Sequence, residues 1–225
     1  MNSRILNKIL LLVAGILFQD QGYSQDMYIK ANTYVYANNQ YVYIKNDLEL
    51  NASTSNFYLR NEGQLLQGTT GSGANKGLGT LSVFQEGSVN NYQYNYWCSP
   101  VGNVATSTST NNPFGITLLG IPTTVTDTTP VSILGTNVYD GTASPFAISP
   151  YWIYKFMVKS SYSDWVFVGS NHTIAAGQGF TMKGTSGTDA TSVNGVPNNT
   201  GSINVMTLEA NLMMEQLTFL FYQRN

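Results

Sequence analysis

The stretch MYIKANTYVYANNQYVYIKNDLELNASTSNFYLRNEGQLLQG, residues 27–68, decides how the chain folds. It breaks into short runs of β-favouring residues at close, fairly even spacing: YIK, YVY, YVYIK, LEL, FYLR and QLL. Between them lie AN, ANNQ, ND, NASTSN and NEG, all turn chemistry. Side chains alternate across a strand. One face therefore gathers Ile29, Val35, Val42, Ile44, Leu48, Leu50, Phe57, Leu59 and Leu65. The other gathers Tyr28, Tyr34, Tyr36, Tyr41, Tyr43, Glu49, Tyr58 and Arg60. Aliphatic residues inside and tyrosine or charge outside predict a stacked ribbon, either a short β-solenoid or a meander. Adjacent rungs then set Tyr against Tyr, a favourable cross-strand pairing. The repeat is too loose to define a formal solenoid motif.

The composition of all 225 residues agrees with an all-β chain. Only 10% of residues are charged, against roughly a quarter in average globular chains. Asn, Thr, Ser, Gly and Tyr fill the difference, while 42% hydrophobic content still supplies a core. A formal charge of −2 gives no electrostatic footprint for nucleic acid or anionic lipid.

At the start, Arg4 and Lys8 precede ILLLVAGILF (Ile9 to Phe18). Ten apolar residues span only about 15 Å as a helix, too short to cross a bilayer. Gly22 and Ser24 lie three and one positions before a cut between Ser24 and Gln25. Residues 1–24 therefore read as a signal peptide, and the mature chain is expected to be exported without membrane insertion. Cys98 is the sole cysteine, so no internal disulfide can form. A buried, inert thiol is the expected state.

The mature chain divides by composition. Residues 25–102 form the stacked-strand region, and 103–131, rich in Thr, Ser, Asn and Pro, read as a linker or long loop. Residues 132–205 read as a β-sandwich-like region, with PYWIYKFMVK and WVFVGS as a hairpin and AAGQGFTMKG as a Gly turn and strand. Residues 206–225 change character. The segment VMTLEANLMMEQLTFLFYQRN suits either a closing helix, with Leu208, Leu212, Gln216 and Leu220 on one stripe, or a shifted reading frame.

The segment NYQYNYWCSP (residues 91–100) alternates with period two. Its Tyr92, Tyr94, Tyr96 and Cys98 face is expected in the core, with Pro100 ending the run. Trp97, on the opposite face, is then the ring expected in solvent. Exposed rings can stack on sugar CH groups, which makes Tyr94, Trp97, Trp152 and Trp165 the candidate glycan-stacking residues.

Motifs for other chemistry fail on context. The Gly-rich GTTGSGANKGLG and Gly177-Gln178-Gly179 both precede strands, where phosphate and dinucleotide loops lead into helices. His172 is the only histidine, and neither HExxH nor CxxC occurs. Asp47, Asp140, Asp164 and Asp189 are scattered singly and make no calcium loop. No cofactor, metal or catalytic residue is expected. Asn51, Asn171 and Asn198 head N-glycosylation sequons that an Asn/Thr-rich chain matches by chance.

The phrases FYLRNEGQLLQG, LSVFQEGSVNNYQYNYWCSPVGN, WIYKF, YSDWVFVG and AAGQGFTMKGT occur together. They resemble the N-terminal region of large exported Bacteroidota surface proteins, often adhesin-like and carried by the type IX secretion route. The resemblance covers most of residues 26–184, with WCSPVG and GQGFTMKGT its most specific parts. It implies a β-rich, non-enzymatic surface or adhesion protein whose partners are glycans or surface proteins. A carbohydrate-binding module of a secreted glycosidase is the alternative. Asp127-Thr128-Thr129 resembles the short O-glycosylation motif of these bacteria. Family members continue for hundreds of residues to a sorting domain, so this chain, ending at Asn225, is expected to be truncated or frame-shifted.

Overall fold

The computed structural model describes residues 26–68, 75–87, 89–98, 114–157, 165–169, 173–175, 178–193, 195–199 and 204–211. The expected signal peptide, residues 103–113, His172 and residues 212–225 lie outside them. The fold is all-β.

Residues 27–68 wind into two complete coils of a β-solenoid. The first is β1 (Met27–Ile29), β2 (Tyr34–Asn38) and β3 (Tyr41–Ile44). The second is β4 (Leu48–Leu50), β5 (Asn56–Arg60) and β6 (Gln64–Gln67). Each strand lies parallel to its counterpart one coil on: Met27 beside Leu48, Val35 beside Phe57, Val42 beside Leu65. A third coil begins with β7 (Lys76–Gly77) on β4 and β8 (Thr80–Gly87) on β5. Asn32, Asn39, Asn61 and Glu62 adopt positive φ at the corners. Asparagine tolerates that region better than most residues, which explains the Asn content between the runs.

The expected inner face holds. Ile29, Ile44, Leu48, Leu50, Phe57, Leu59 and Leu65 are buried in one apolar cluster, with Val35 and Val42 packed against it. The polar corners satisfy themselves. Ser55 Oγ donates to the Lys30 carbonyl and accepts from Ala52 N–H, while Asn75 and Gln67 exchange amide bonds of 2.7 Å.

Arg60 departs from expectation: it sits on the outer face yet is 0% exposed. Part of the cover is Val125, in the connection between β11 (Leu119–Pro122) and β12 (Thr128–Pro130). These strands pair antiparallel within the segment expected to be a linker, so its second half is folded structure. Arg60 Nε donates to the Val125 carbonyl at 2.7 Å, and its other nitrogens donate to the Ser82 carbonyl, Ser82 Oγ and the Leu59 carbonyl. The guanidinium stacks 3.9 Å from the Phe84 ring centroid.

A single mixed sheet of eight strands ties the solenoid to the rest. β2, β5 and β8 run parallel; β23 (Asn204–Asn211) then pairs antiparallel with β8 over its full length, and β11 joins the far side of β23. The hairpin of β21 (Asp189–Val193) and β22 (Val196–Asn199) attaches beside β23. The tail therefore is no helix at residues 204–211. An unpaired β8 edge exposes a row of backbone groups, and residues 204–211 pair with it as a strand.

Two four-stranded sheets complete the sandwich-like part. The first orders β17 (Trp165–Phe167), β16 (Tyr154–Phe156), β19 (Gly179–Lys183) and β9 (Tyr94–Cys98), all antiparallel. The second orders β13 (Ser132–Ile133), β15 (Phe146–Ile148), β14 (Gly141–Ala143) and β20 (Thr185–Ser186). A short pair, β10 (Phe114–Gly115) and β18 (Thr173–Ile174), lies apart from both. Trp97, Phe180, Met182, Phe146 and Ile148 join the same apolar cluster as the solenoid interior.

Candidate functional site

The β17–β16–β19–β9 sheet has one apolar face and one aromatic face. Register fixes which is which. Phe180 pairs with Trp97 and Met182 with Asn95, and all four are buried. Thr181 pairs with Tyr96 and Lys183 with Tyr94, pointing the other way. Across β16 and β17 the second face continues through Tyr154, Phe156, Trp165 and Phe167.

The expected orientation of the Tyr94–Cys98 strand is therefore reversed. Trp97 is 5% exposed and meets Phe180 edge-to-face at 6.1 Å, whereas Tyr96 is 73% exposed. The physical reason is the hydroxyl. Tyrosine keeps a polar tip that prefers water or a partner, and β19 offers Phe180 and Met182 on its dry side. Of the four candidate stacking residues, Tyr94, Trp152 and Trp165 are half-buried at the aromatic face; Trp97 leaves the set.

Trp152 reaches the face from a 3₁₀ turn, Pro150–Trp152, whose N-cap Ser149 accepts from Tyr151 N–H. Its indole N–H donates to the Tyr139 carbonyl at 2.7 Å, and Tyr139, Tyr151 and Trp152 cluster. Trp152 then meets Tyr94 edge-on at 6.1 Å. Lys183 Nζ lies 3.9 Å from the Trp152 ring centroid and 5.6 Å from that of Tyr94. A second group sets Tyr96 against Trp165, Trp165 against Phe156, and Tyr154 against Phe167.

The ring planes decide what this face can do. Among the described residues, the contacting ring pairs on it are inclined by 49° to 81°. A flat polysaccharide surface needs coplanar rings, and these contacting pairs are tilted instead. Lys183 also covers one face of the Trp152 ring. What stays open is a corrugated apolar strip led by Tyr96 and Phe167, with Lys183 as its charge. Such a strip accepts protruding apolar side chains and neutral hydrogen-bonding groups.

Cys98 closes β9 on this face, beside Gly179. Burial pushes its thiol above the ordinary range, which leaves less reactive thiolate at neutral pH. Among the described residues no group of three or more His, Cys, Asp or Glu side chains is placed to hold a metal ion. Asp140 accepts from Asn91 Nδ2 at 3.1 Å, a structural contact. The signal that sequence reading missed was Tyr96, whose alternation was visible but whose side of the sheet was not. No protein-family model, curated protein or solved structure matches the chain.

Proposed function

We propose that this chain is an exported, non-enzymatic, β-rich surface protein of adhesion type, and that it binds a protein partner through the aromatic face of the β17–β16–β19–β9 sheet. The observation that carries the reading is that strip of tilted, half-exposed rings around Tyr96, Trp165 and Phe156, almost free of charge. Large aromatics dominate the binding energy of protein interfaces. The leader-like residues 1–24 and the absence of catalytic motifs in the sequence support export and binding without turnover.

The carbohydrate-binding reading keeps one supporting observation: Tyr94, Trp152 and Trp165 do share a half-exposed face. Tilted planes and the ammonium over Trp152 weigh against it. The two readings separate on beads carrying the full export-processed chain, tested on surfaces coated with envelope or matrix proteins and on surfaces coated with purified polysaccharides. Adhesion to protein that drops at least about tenfold in the Tyr96→Ala/Trp165→Ala variant supports the proposal. Adhesion to polysaccharide alone, lost in the same variant, transfers the face to glycans. Adhesion that ignores both substitutions removes this face from the function.

A further inference from the structure

The first solenoid coil ends the stack formed by the described residues. β1, β2 and β3 each form the edge of their sheet, with no further strand beyond them among the described residues. Backbone hydrogen bonds show which residues point at that edge. Met27 N–H donates to the Asp47 carbonyl and Asn51 N–H to the Ile29 carbonyl, so Met27 and Ile29 spend their backbone groups on the second coil. Asn56 N–H to the Thr33 carbonyl and Asn39 N–H to the Arg60 carbonyl fix the phase of β2 in the same way. Gln64 N–H to the Gln40 carbonyl and Gly68 N–H to the Ile44 carbonyl fix β3. In a parallel ladder alternate residues bond to opposite sides. The backbone groups of Tyr28, Tyr34, Tyr36, Tyr41 and Tyr43 therefore face outward along the solenoid axis, toward the open end.

Natural edge strands are blunted by charge, proline or bulges. β1, β2 and β3 contain no charged residue and no proline. The side chains flanking the open backbone are instead exposed tyrosines: Tyr34 is 63% exposed, Tyr41 71% and Tyr43 67%. We propose that this end face is a docking surface for a second copy of the same chain, stacked coil against coil. A lone extended peptide can cover one edge only, because the chain turns sharply at Asn32 and Asn39 between the three strands. Satisfying all three needs a coil of the same outline, and this chain carries one.

A two-fold axis through the middle of β2 pairs β2 with its own copy and β1 with β3 of the other chain, an isologous and closed arrangement. Charge permits it, since Asp26, Asp47, Lys30 and Lys45 bring two charges of each sign to the coil. The surface is separate from the aromatic face proposed for binding.

The test is sedimentation equilibrium of the full chain after export, with the N-terminus read by mass spectrometry. A mass of two chains that dissociates on dilution is the expected result. Tyr34→Lys/Tyr41→Lys alters two exposed side chains and sets like charges across the axis; it is expected to weaken the dimer by on the order of a hundredfold. Tyr36→Pro removes an N–H that has no partner within the coil and is expected to weaken it too. A wild-type chain that stays monomeric into the millimolar range overturns the proposal. So does a Tyr34→Lys/Tyr41→Lys protein of native circular dichroism that keeps the dimer mass. Loss of the dimer in Tyr96→Ala/Trp165→Ala, with the lysine variant unaffected, assigns self-association to the aromatic face and likewise overturns it.

Discussion

Replacing Arg60 by methionine isolates what a buried guanidinium contributes. The methionine stem fills most of the same space, so no large cavity opens. Its loss strips charged donors from the Val125 and Ser82 carbonyls, bonded now at 2.7 and 2.8 Å. Each buried acceptor left dry costs about 1–3 kcal/mol. The stacking over Phe84 adds about 1–2 kcal/mol. Against this, the folded state no longer holds a desolvated cation, a saving of several kcal/mol by itself. The balance is a loss of about 3 kcal/mol, or a urea midpoint lower by about 1 M at an m-value of about 2.5 kcal/mol/M. Arg60→Lys is expected to lose at least as much, because its ammonium is more strongly hydrated and lacks the planar fork. Urea titrations followed by circular dichroism and tryptophan emission measure both, and proteolysis at residues 123–127 should accelerate in each. A midpoint shift below about 0.3 M, or a lysine variant of wild-type stability, refutes the claim that Arg60 clamps this connection.

Trp97→Ala should cost about 3–5 kcal/mol as a core truncation, whereas Tyr96→Ala, on the opposite face of the same strand, should stay within about 0.5 kcal/mol; chemical denaturation distinguishes them, and equal losses contradict the assigned orientation of β9. Cys98 should react slowly with iodoacetamide at neutral pH and faster as pH rises past the ordinary thiol range. Burial raises its pKa in the folded state, so the group's contribution to stability is present below the unfolded value and lost as pH climbs through the folded one; a thiol that reacts as fast as free cysteine at neutral pH counters this. Gly77→Ala combines a φ of 111° with a Cβ placed 1.8 Å from the Leu50 carbonyl oxygen. It should lower stability by more than about 2 kcal/mol in a thermal or urea melt, and a neutral effect denies that close packing of the third coil.

The inner face of residues 27–68 was legible, though not the choice between solenoid and meander, because the strands bury one residue parity and wet the other, so Leu48, Leu50, Phe57 and Leu59 announce the interior by themselves. The same logic failed at Tyr94–Cys98, where both parities carry rings. Only the register with Phe180 and Met182, more than eighty positions away, chooses between them. Arg60 failed for a related reason, since its cover arrives from residues 123–127. Local pattern names a strand's two faces; distant partners decide which is dry. On this face the sequence pattern puts Tyr96 inward and Trp97 outward, and the structure has them the other way round.

The position of β23 carries a kinetic consequence. The coils at residues 27–67 pair with neighbours some twenty residues along, so loop closure is inexpensive and they can form while the chain is still emerging. β8 and β11 cannot complete their sheet until residues 204–211 arrive to lie between them. The winding contacts are thus local and the closing contacts long-range. Until that closure, the β8 side of the sheet remains available to chaperones, and to misplaced strands.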